Sequence, residues 1–217
     1  MKYLFIIGGK STSLEIREAV EQYYRNIYSE IYNVIGDEEN CSVENYIRDS
    51  DLKQFIFQIS EKSDIHYIIG VTNLKIKIKY ISFFEENEIA AINVLHPSAY
   101  IAPSAKIGFG NYIGQNAIIS TNAVVGNHNV VSAVIIGHDV IIGSNCVLNP
   151  GAVIAGNAQI SDNVLVGANS FIFQGKSIGK DTSIDALTYI DRDIPNNSVC
   201  SNRPNCRLKI FKKIHTL

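Results

Sequence analysis

The sequence is short of charge, of cysteine and of long apolar runs, and each shortage excludes something. Only 18% of its 217 residues are charged, and they nearly cancel, to a formal net charge of −2. That balance argues against a surface built for a polyanion, so no nucleic acid is expected as a partner. The one basic cluster, Arg207, Lys209, Lys212 and Lys213, stands near the C-terminus. It reads as a solvated face or as a resting place for a phosphorylated cofactor. The four cysteines, Cys41, Cys146, Cys200 and Cys206, show no metal-ligand spacing, and no metal is expected. No apolar run approaches the length of a membrane span and no secretory signal opens the chain, so the expected setting is a reducing cytoplasm with no membrane partner. The 46% apolar content suits a soluble globular chain of one or two domains.

What is present is a ruler. From Ile101 an aliphatic residue returns every sixth position through Ile107, Ile113, Ile119, Val125 and Val131. After one step of five it resumes at Ile136 and continues through Ile142, Leu148, Ile154, Ile160, Val166, Ile172, Ile178, Ile184 and Ile190. A period of six fits neither a helix nor a simple alternating strand, and marks an internal repeat. Hexapeptide repeats wind into a parallel β-helix of triangular coils, in which the ruler residues point inward and stack on their counterparts above and below. At about eighteen residues per coil the span holds roughly five coils. Small residues such as Ala117, Ala123, Cys146, Ala152 and Ala158 follow at the corners, with Cys146 a packed thiol. Glycines such as Gly108, Gly126, Gly137 and Gly167, with Asn or Asp between them, read as turns with unusual backbone angles. The spacing does not fix the hand of the coil.

Ahead of the ruler, three short apolar runs, Tyr3–Ile7, Tyr32–Ile35 and His66–Val71, alternate with helix-like stretches, the clearest being Lys75 to Glu86. Ser11 or Ser13 is the expected cap of the first helix. The pattern predicts a small parallel sheet covered by helices over residues 1–92, followed by the β-helix over 93–195 and an irregular cap with a basic tail over 196–217. In such sheets ligands bind beyond the carboxyl ends of the strands, where Gly8, Gly9, Lys10, Asp37 and Asn73 emerge. Gly-Gly-Lys-Ser-Thr is neither GxGxxG nor a full phosphate loop. A tight strand-to-helix turn and a nucleotide contact are both open readings of it. His96, before Pro97, reads as structural.

The step of five falls just before Gly137-His138-Asp139, and an irregularity in a regular repeat is where function is usually built. His138 stands two positions beyond its ruler residue and is expected to project outward. An outward histidine beside a carboxylate can serve as a general base of fixed tautomer. The competing reading is an ordinary exposed turn histidine, of which His128, in Gly-Asn-His-Asn, is the example.

A small αβ domain followed by HPSAYIAPSAKIG, hexapeptide coils, GHDVIIG, NPGAVIAGN and a DIPNNSV cap resembles the bacterial sugar acetyltransferases of the sialic acid O-acetyltransferase and nucleotide-amino-sugar N-acetyltransferase family. The resemblance runs over nearly the whole chain. It implies a left-handed β-helix, a homotrimer with active sites between adjacent β-helices, and transfer of an acetyl group from acetyl-CoA to an amine or hydroxyl of a sugar. His138 would be the general base and Asp139 its neighbouring carboxylate. The Gly156 N–H would face the thioester oxygen, Ala168 and Ala186 would line the pantetheine groove, and Arg207 and Lys209 would meet the CoA phosphates. Gly8, Gly9 and Lys10 would hold the nucleotide of a nucleotide-linked amino sugar, with Asp37 and Asn73 near its base and ribose.

The chain also departs from that family. Its glycine-rich turn is shorter and lacks a histidine, Val131 and Val147 stand where some members place acceptor-binding Asn and His, Asp185 and Leu187 replace common glycines, and Asn202-Arg203-Pro204-Asn205 replaces Gly-x-Pro-Ala. The leading expectation is N-acetylation of an amino-dideoxy sugar. O-acetylation of sialic acid or a related sugar hydroxyl, and a non-catalytic β-helix scaffold, are the alternatives.

Overall fold

The computed structural model describes residues 1–59, 64–202 and, for the backbone alone, 209–212. Arg207 and Cys206 lie outside the described residues, as does the side chain of Lys209. The chain divides into two compact units, one of Met1–Val94 with Phe109–Tyr112, the other of Leu95–Gly108 and the residues from Ile113 onward.

The first unit is a five-stranded parallel sheet. Its strands β1 (Tyr3–Ile7), β2 (Glu30–Ile35), β3 (Tyr46–Arg48), β4 (Ile65–Ile69) and β5 (Ala90–Ala91) lie in the order β3-β2-β1-β4-β5. The strands β1, β2 and β4 grow from the three apolar runs of the sequence, whereas β3 and β5 are too short to stand out as runs. Among the described residues three α-helices intervene: α1 (Thr12–Tyr23), α2 (Asp49–Gln58) and α3 (Leu74–Glu86). Phe5, Tyr67 and Phe84 stack in the core, Tyr67 on Phe84 with centroids 4.2 Å apart. The expected side-chain cap of α1 does not form. Ser11 holds the N-cap place at φ 50° without a side-chain hydrogen bond, and Ser13, inside the helix, donates its hydroxyl to the Lys10 carbonyl (2.7 Å). Asn73 does cap α3, its Oδ1 accepting the N–H groups of Lys75 and Ile76 (3.0 and 3.2 Å).

The second unit is a parallel β-helix whose strands are two residues long. Successive strands pass through three sheets in rotation. One carries Tyr100–Ile101, Ile118–Ile119, Ile135–Ile136, Val153–Ile154, Phe171–Ile172 and Tyr189–Ile190, so this face has six rungs rather than five. The next carries Lys106–Ile107, Val124–Val125, Ile141–Ile142, Gln159–Ile160 and Ser177–Ile178, and the third passes through Val130–Val131, Val147–Leu148, Leu165–Val166 and Ser183–Ile184. In each pair the second residue is the ruler residue. From Ile113 to Ile190 these are at most 2% exposed and form one continuous core, each contributing about 1.5–3 kcal/mol of burial.

Three readings of the repeat change. The step of five does not deform the His138 turn. It removes one residue from the preceding corner, Ser132–Val134, and the sheets absorb it: partners that span it are 17 residues apart, as Ile118 with Ile135 and Val124 with Ile141, against 18 for Ile135 with Val153. The glycines after the ruler residues do not supply the unusual backbone angles. That slot falls two residues later and is filled by Asn122, Asp139, Asn145, Asn157, Asn163 and their equivalents at φ near +57°, as suits Asn and Asp. The glycines answer a packing need instead, since a Cβ on Gly167 would lie 2.4 Å from the Ala186 nitrogen of the next coil. Finally, among the described residues regular pairing continues past Ile190. Ile194 bridges to Ile178, and Ser198–Ser201 continues the third sheet beside Ser183–Ile184 before pairing antiparallel with Lys209–Lys212.

The inward and outward residues of one strand give a direct test. Urea unfolding of Ile160→Ala is expected to show a loss of about 2–5 kcal/mol, and of Gln159→Ala less than about 0.5 kcal/mol. Equal losses would contradict the inward assignment of the ruler.

Candidate active site

His138 lies at the corner between Ile135–Ile136 and Ile141–Ile142, and its side chain is 58% exposed, so it does project outward. Its Nδ1 is 2.8 Å from Asp139 Oδ2. An ionised carboxylate only accepts, so in the neutral imidazole Nδ1 carries the proton and Nε2 the lone pair. The second Asp139 oxygen accepts from the Asn122 amide nitrogen (3.1 Å), one coil earlier. Those two bonds, the one with His138 the larger, hold the Asp139 carboxyl below the usual carboxylate range. Asp139 itself sits in the left-handed slot at φ 57°, with its N–H on the Thr121 carbonyl (3.0 Å).

One coil later the same corner carries Gly156. A Cβ there would lie 2.5 Å from His138 Nε2, so the ring rests directly on the glycine backbone. Among the described residues no acceptor takes the Gly156 N–H, which leaves a backbone donor beside an imidazole lone pair. Ala168 and Ala186 do not join them within the chain. They occupy the edge between the third sheet and the six-rung sheet, a different corner of the triangle. Val131 is a core residue and Val147 is buried.

The other histidines of the repeat differ. His128, the expected example of an exposed turn histidine, is only 4% exposed. It stands three positions after its ruler residue rather than two, on an edge where such side chains stack from coil to coil. Asn145 Nδ2 donates to Asn163 Oδ1 (2.8 Å) and Asn163 Nδ2 to Asp181 Oδ1 (3.0 Å). His96 accepts the Ser98 N–H at Nδ1 (3.1 Å) and closes a local turn.

In the first unit the strand order reverses between β1 and β4, and there a cavity of about 270 Å³ is lined by Gly8, Gly9, Lys10, Gly70 and Asn73. Its walls explain the glycines: Gly8 has φ 119° and a Cβ there would meet Val71 at 2.9 Å, while one on Gly70 would meet the Ser13 Cα at 2.6 Å. The backbone therefore approaches the head of α1 closely. A second cavity of about 220 Å³ shares Gly8, Glu39, Val71 and Ile76 with the first, making one cleft. Asp37 lines neither. Its Oδ1 accepts the Ser50 N–H (3.0 Å), which holds its carboxyl below the usual range. Glu39, which lines both, was not anticipated, and neither was Asn122; the latter comes into view only when the sequence is written coil over coil, where it falls above Asp139.

Residues 85–181 match the family described as GMPPB C-terminal domain. No curated protein sequence matches the chain. Among solved structures, a mutant perosamine N-acetyltransferase from Caulobacter crescentus, in complex with CoA and GDP-perosamine, is similar with TM-score 0.85 at 19% identity over 98% of each chain. The acetyltransferase domain of PglB from Neisseria gonorrhoeae is similar with TM-score 0.83 at 21% identity, over 97% of this chain and 100% of its own. WeeI from Acinetobacter baumannii is similar with TM-score 0.85 at 19% identity, again over 97% and 100%. At such identities the likeness establishes a common fold over nearly the whole chain.

The Asn122 contact has a measurable sign. Removing a donor from the charged form makes that form less favourable, so Asn122→Ala is expected to raise the Asp139 carboxyl pKa toward the ordinary carboxylate range. The His138–Asp139 bond then breaks at a higher pH on acidification. A carboxyl-detected NMR titration checks this, and an unmoved Asp139 would detach Asn122 from the pair.

Proposed function

We propose that the chain is an acetyl-CoA-dependent sugar acetyltransferase, a left-handed β-helical homotrimer that N-acetylates the amino group of a nucleotide-linked amino sugar with His138 as general base. The observation that carries the reading is the His138 corner, where a carboxylate fixes Nδ1 and the free Nε2 faces the Gly156 backbone. Its fold is similar to that of structures holding CoA with GDP-perosamine and acetyl coenzyme A, and the perosamine enzyme is an N-acetyltransferase, which favours an amine over a hydroxyl.

The sugar ammonium must lose a proton to solvent before it attacks. His138 Nε2 accepts the amine proton as the C–N bond forms, and the thioester C–S bond then breaks. The proton passes to the departing sulfur, giving N-acetyl sugar and free CoA thiol. Asp139 keeps the imidazole in the receiving tautomer and stabilises the imidazolium that forms. The Gly156 N–H is placed to donate to the thioester oxygen as it gains negative charge. Ala168 and Ala186, small residues on another edge, would line the pantetheine arm. They reach a His138 corner only if a neighbouring copy presents that edge, so the reading requires an oligomer. Arg207 and Lys209 are proposed for the CoA phosphates. Gly8, Gly9 and Lys10 would take the acceptor's diphosphate at the switch point of the first unit, with Asn73 beside it, while Asp37 acts by fixing the turn that follows β2.

The outer surface supports the same assembly. The outward residues of the six-rung sheet, Tyr100, Ile118, Ile135, Val153, Phe171 and Tyr189, are apolar without interruption, with Tyr100 59%, Ile135 44% and Tyr189 47% exposed. The outward row of the five-stranded sheet, by contrast, includes Lys106, Gln159 and Ser177. A continuous apolar face of this kind marks an interaction surface.

Two measurements test the proposal. Thiol release from acetyl-CoA, followed with a panel of nucleotide amino sugars, is expected to fall by roughly 10²–10⁴-fold in His138→Ala and by about 10²-fold in Gly156→Ala, which displaces the ring without removing it. No histidine-dependent release with any acceptor would leave the scaffold reading. Sedimentation equilibrium is expected to give three times the chain mass of 24.0 kDa, and Ile135→Lys to give the monomer; a monomeric wild type would overturn the shared site.

A further inference from the structure

The cleft of the first unit carries a feature that bears on which nucleotide it takes. Glu39 lines both of its cavities and lies at their junction, with Oε1 3.4 Å from where a Cβ on Gly9 would sit. The carboxylate is not on a loose tail. Residues 36 to 39 form a closed turn: the Glu39 N–H donates to the Gly36 carbonyl (3.0 Å), and the Gly36 N–H donates to Glu39 Oε2 (3.3 Å). The Arg48 guanidinium gathers three carbonyls of that turn, those of Gly36, Asp37 and Glu39, at 3.0, 2.9 and 2.7 Å. Asp37 pins the turn to the first residues of α2 through Ser50. The acceptor group is thus preorganised.

Around it the second cavity is lined by the apolar side chains of Ile7, Val34, Val71 and Ile76, suited to the faces of a flat ring, and by Lys79, whose ammonium is paired with Asp49 on the same wall and keeps further N–H donors. Taken as one cleft, the two cavities fall within the roughly 300–1,000 Å³ of small-ligand sites. The nucleobases differ in what they offer a carboxylate, which can only accept. Guanine presents two adjacent donors, N1–H and N2–H, beside an acceptor oxygen. Uracil and thymine present one N–H between two carbonyl oxygens, and a carboxylate set opposite that edge meets oxygen on either side. Adenine and cytosine each set a single amino donor beside an unprotonated ring nitrogen. Only guanine can make a bidentate, charge-assisted pair with Glu39, and its O6 would be left to a donor such as Lys79.

From this we infer that the nucleotide carried by the acceptor is a guanosine diphosphate, read at its base by Glu39. The inference rests on the nucleotide-linked acceptor proposed above and narrows it.

Isothermal titration of the full chain with GDP, UDP and ADP tests it. GDP is expected to bind about ten-fold or more tightly than either of the others, and Glu39→Gln to weaken GDP by about ten-fold with the thermal midpoint unmoved. Glutamine keeps the length of the side chain but replaces one accepting oxygen by a donor, so an unchanged GDP affinity in that variant overturns the assignment of Glu39. UDP or ADP binding as tightly as GDP overturns the inference while leaving a nucleotide-linked acceptor in place. If no nucleoside diphosphate binds, the inference and the nucleotide-linked acceptor fall together, and thiol release with free amino sugars then decides whether acetyl transfer itself survives.

Discussion

The stacking of each coil on the next governs the second unit. Strands of two residues are far too short to stand alone, and each is held by backbone hydrogen bonds to the coils before and after it and by one inward aliphatic side chain on its counterpart. That constraint fixes lateral register to the residue, so a corner side chain always meets the same corner of the adjacent coils. His138 therefore rests on Gly156, and Asp139 meets Asn122, because they are a coil apart and for no local reason. A site of four residues spread over 35 positions of sequence is assembled by repetition alone.

The same constraint explains what the sequence made legible and what it hid. The interior was readable, since inward burial imposes a period of six that survives one shortened corner. The outward direction of His138 was readable from its count beyond Ile136. Contacts between coils were not, because they join residues 17 or 18 apart. The glycines illustrate the point. Read locally, Gly167 looks like a residue chosen for its backbone freedom; in the structure its φ is ordinary, and the need for a missing Cβ comes from Ala186 in the next coil. His128 was misjudged likewise, since one further step along its turn, and a different edge of the triangle, set it in a column with Asn145 and Asn163 and bury it.

In the first unit the general rule for parallel sheets located the cleft but not its chemistry. Gly8, Gly9, Lys10 and Asn73 are placed by strand order, which alternating apolar runs disclose. Asp37 was the natural candidate as the first charged residue after β2. The turn that closes on Gly36 spends its carboxylate on the start of α2 and brings Glu39 round instead. Nothing in the order of residues distinguishes Asp37 from Glu39; the difference is made by Arg48, twelve positions beyond Gly36, collecting the carbonyls of the turn.

The His138–Asp139 pair is hard to explain as a stabilising contact. Both side chains are about half exposed, where a polar pair adds little to folding. The backbone slot that Asp139 fills is filled by Asn at several equivalent corners without loss of the coil. What distinguishes an Asp there is that it accepts without donating. It fixes the proton on Nδ1 and is itself kept ionised by that contact and by the Asn122 amide. The consequence is felt at the far side of the ring, where Nε2 keeps its lone pair against a backbone with no side chain. A structural histidine has no need of an oriented lone pair; the base proposed here does. The physical case for chemistry at this corner is therefore the asymmetry of the imidazole rather than its exposure.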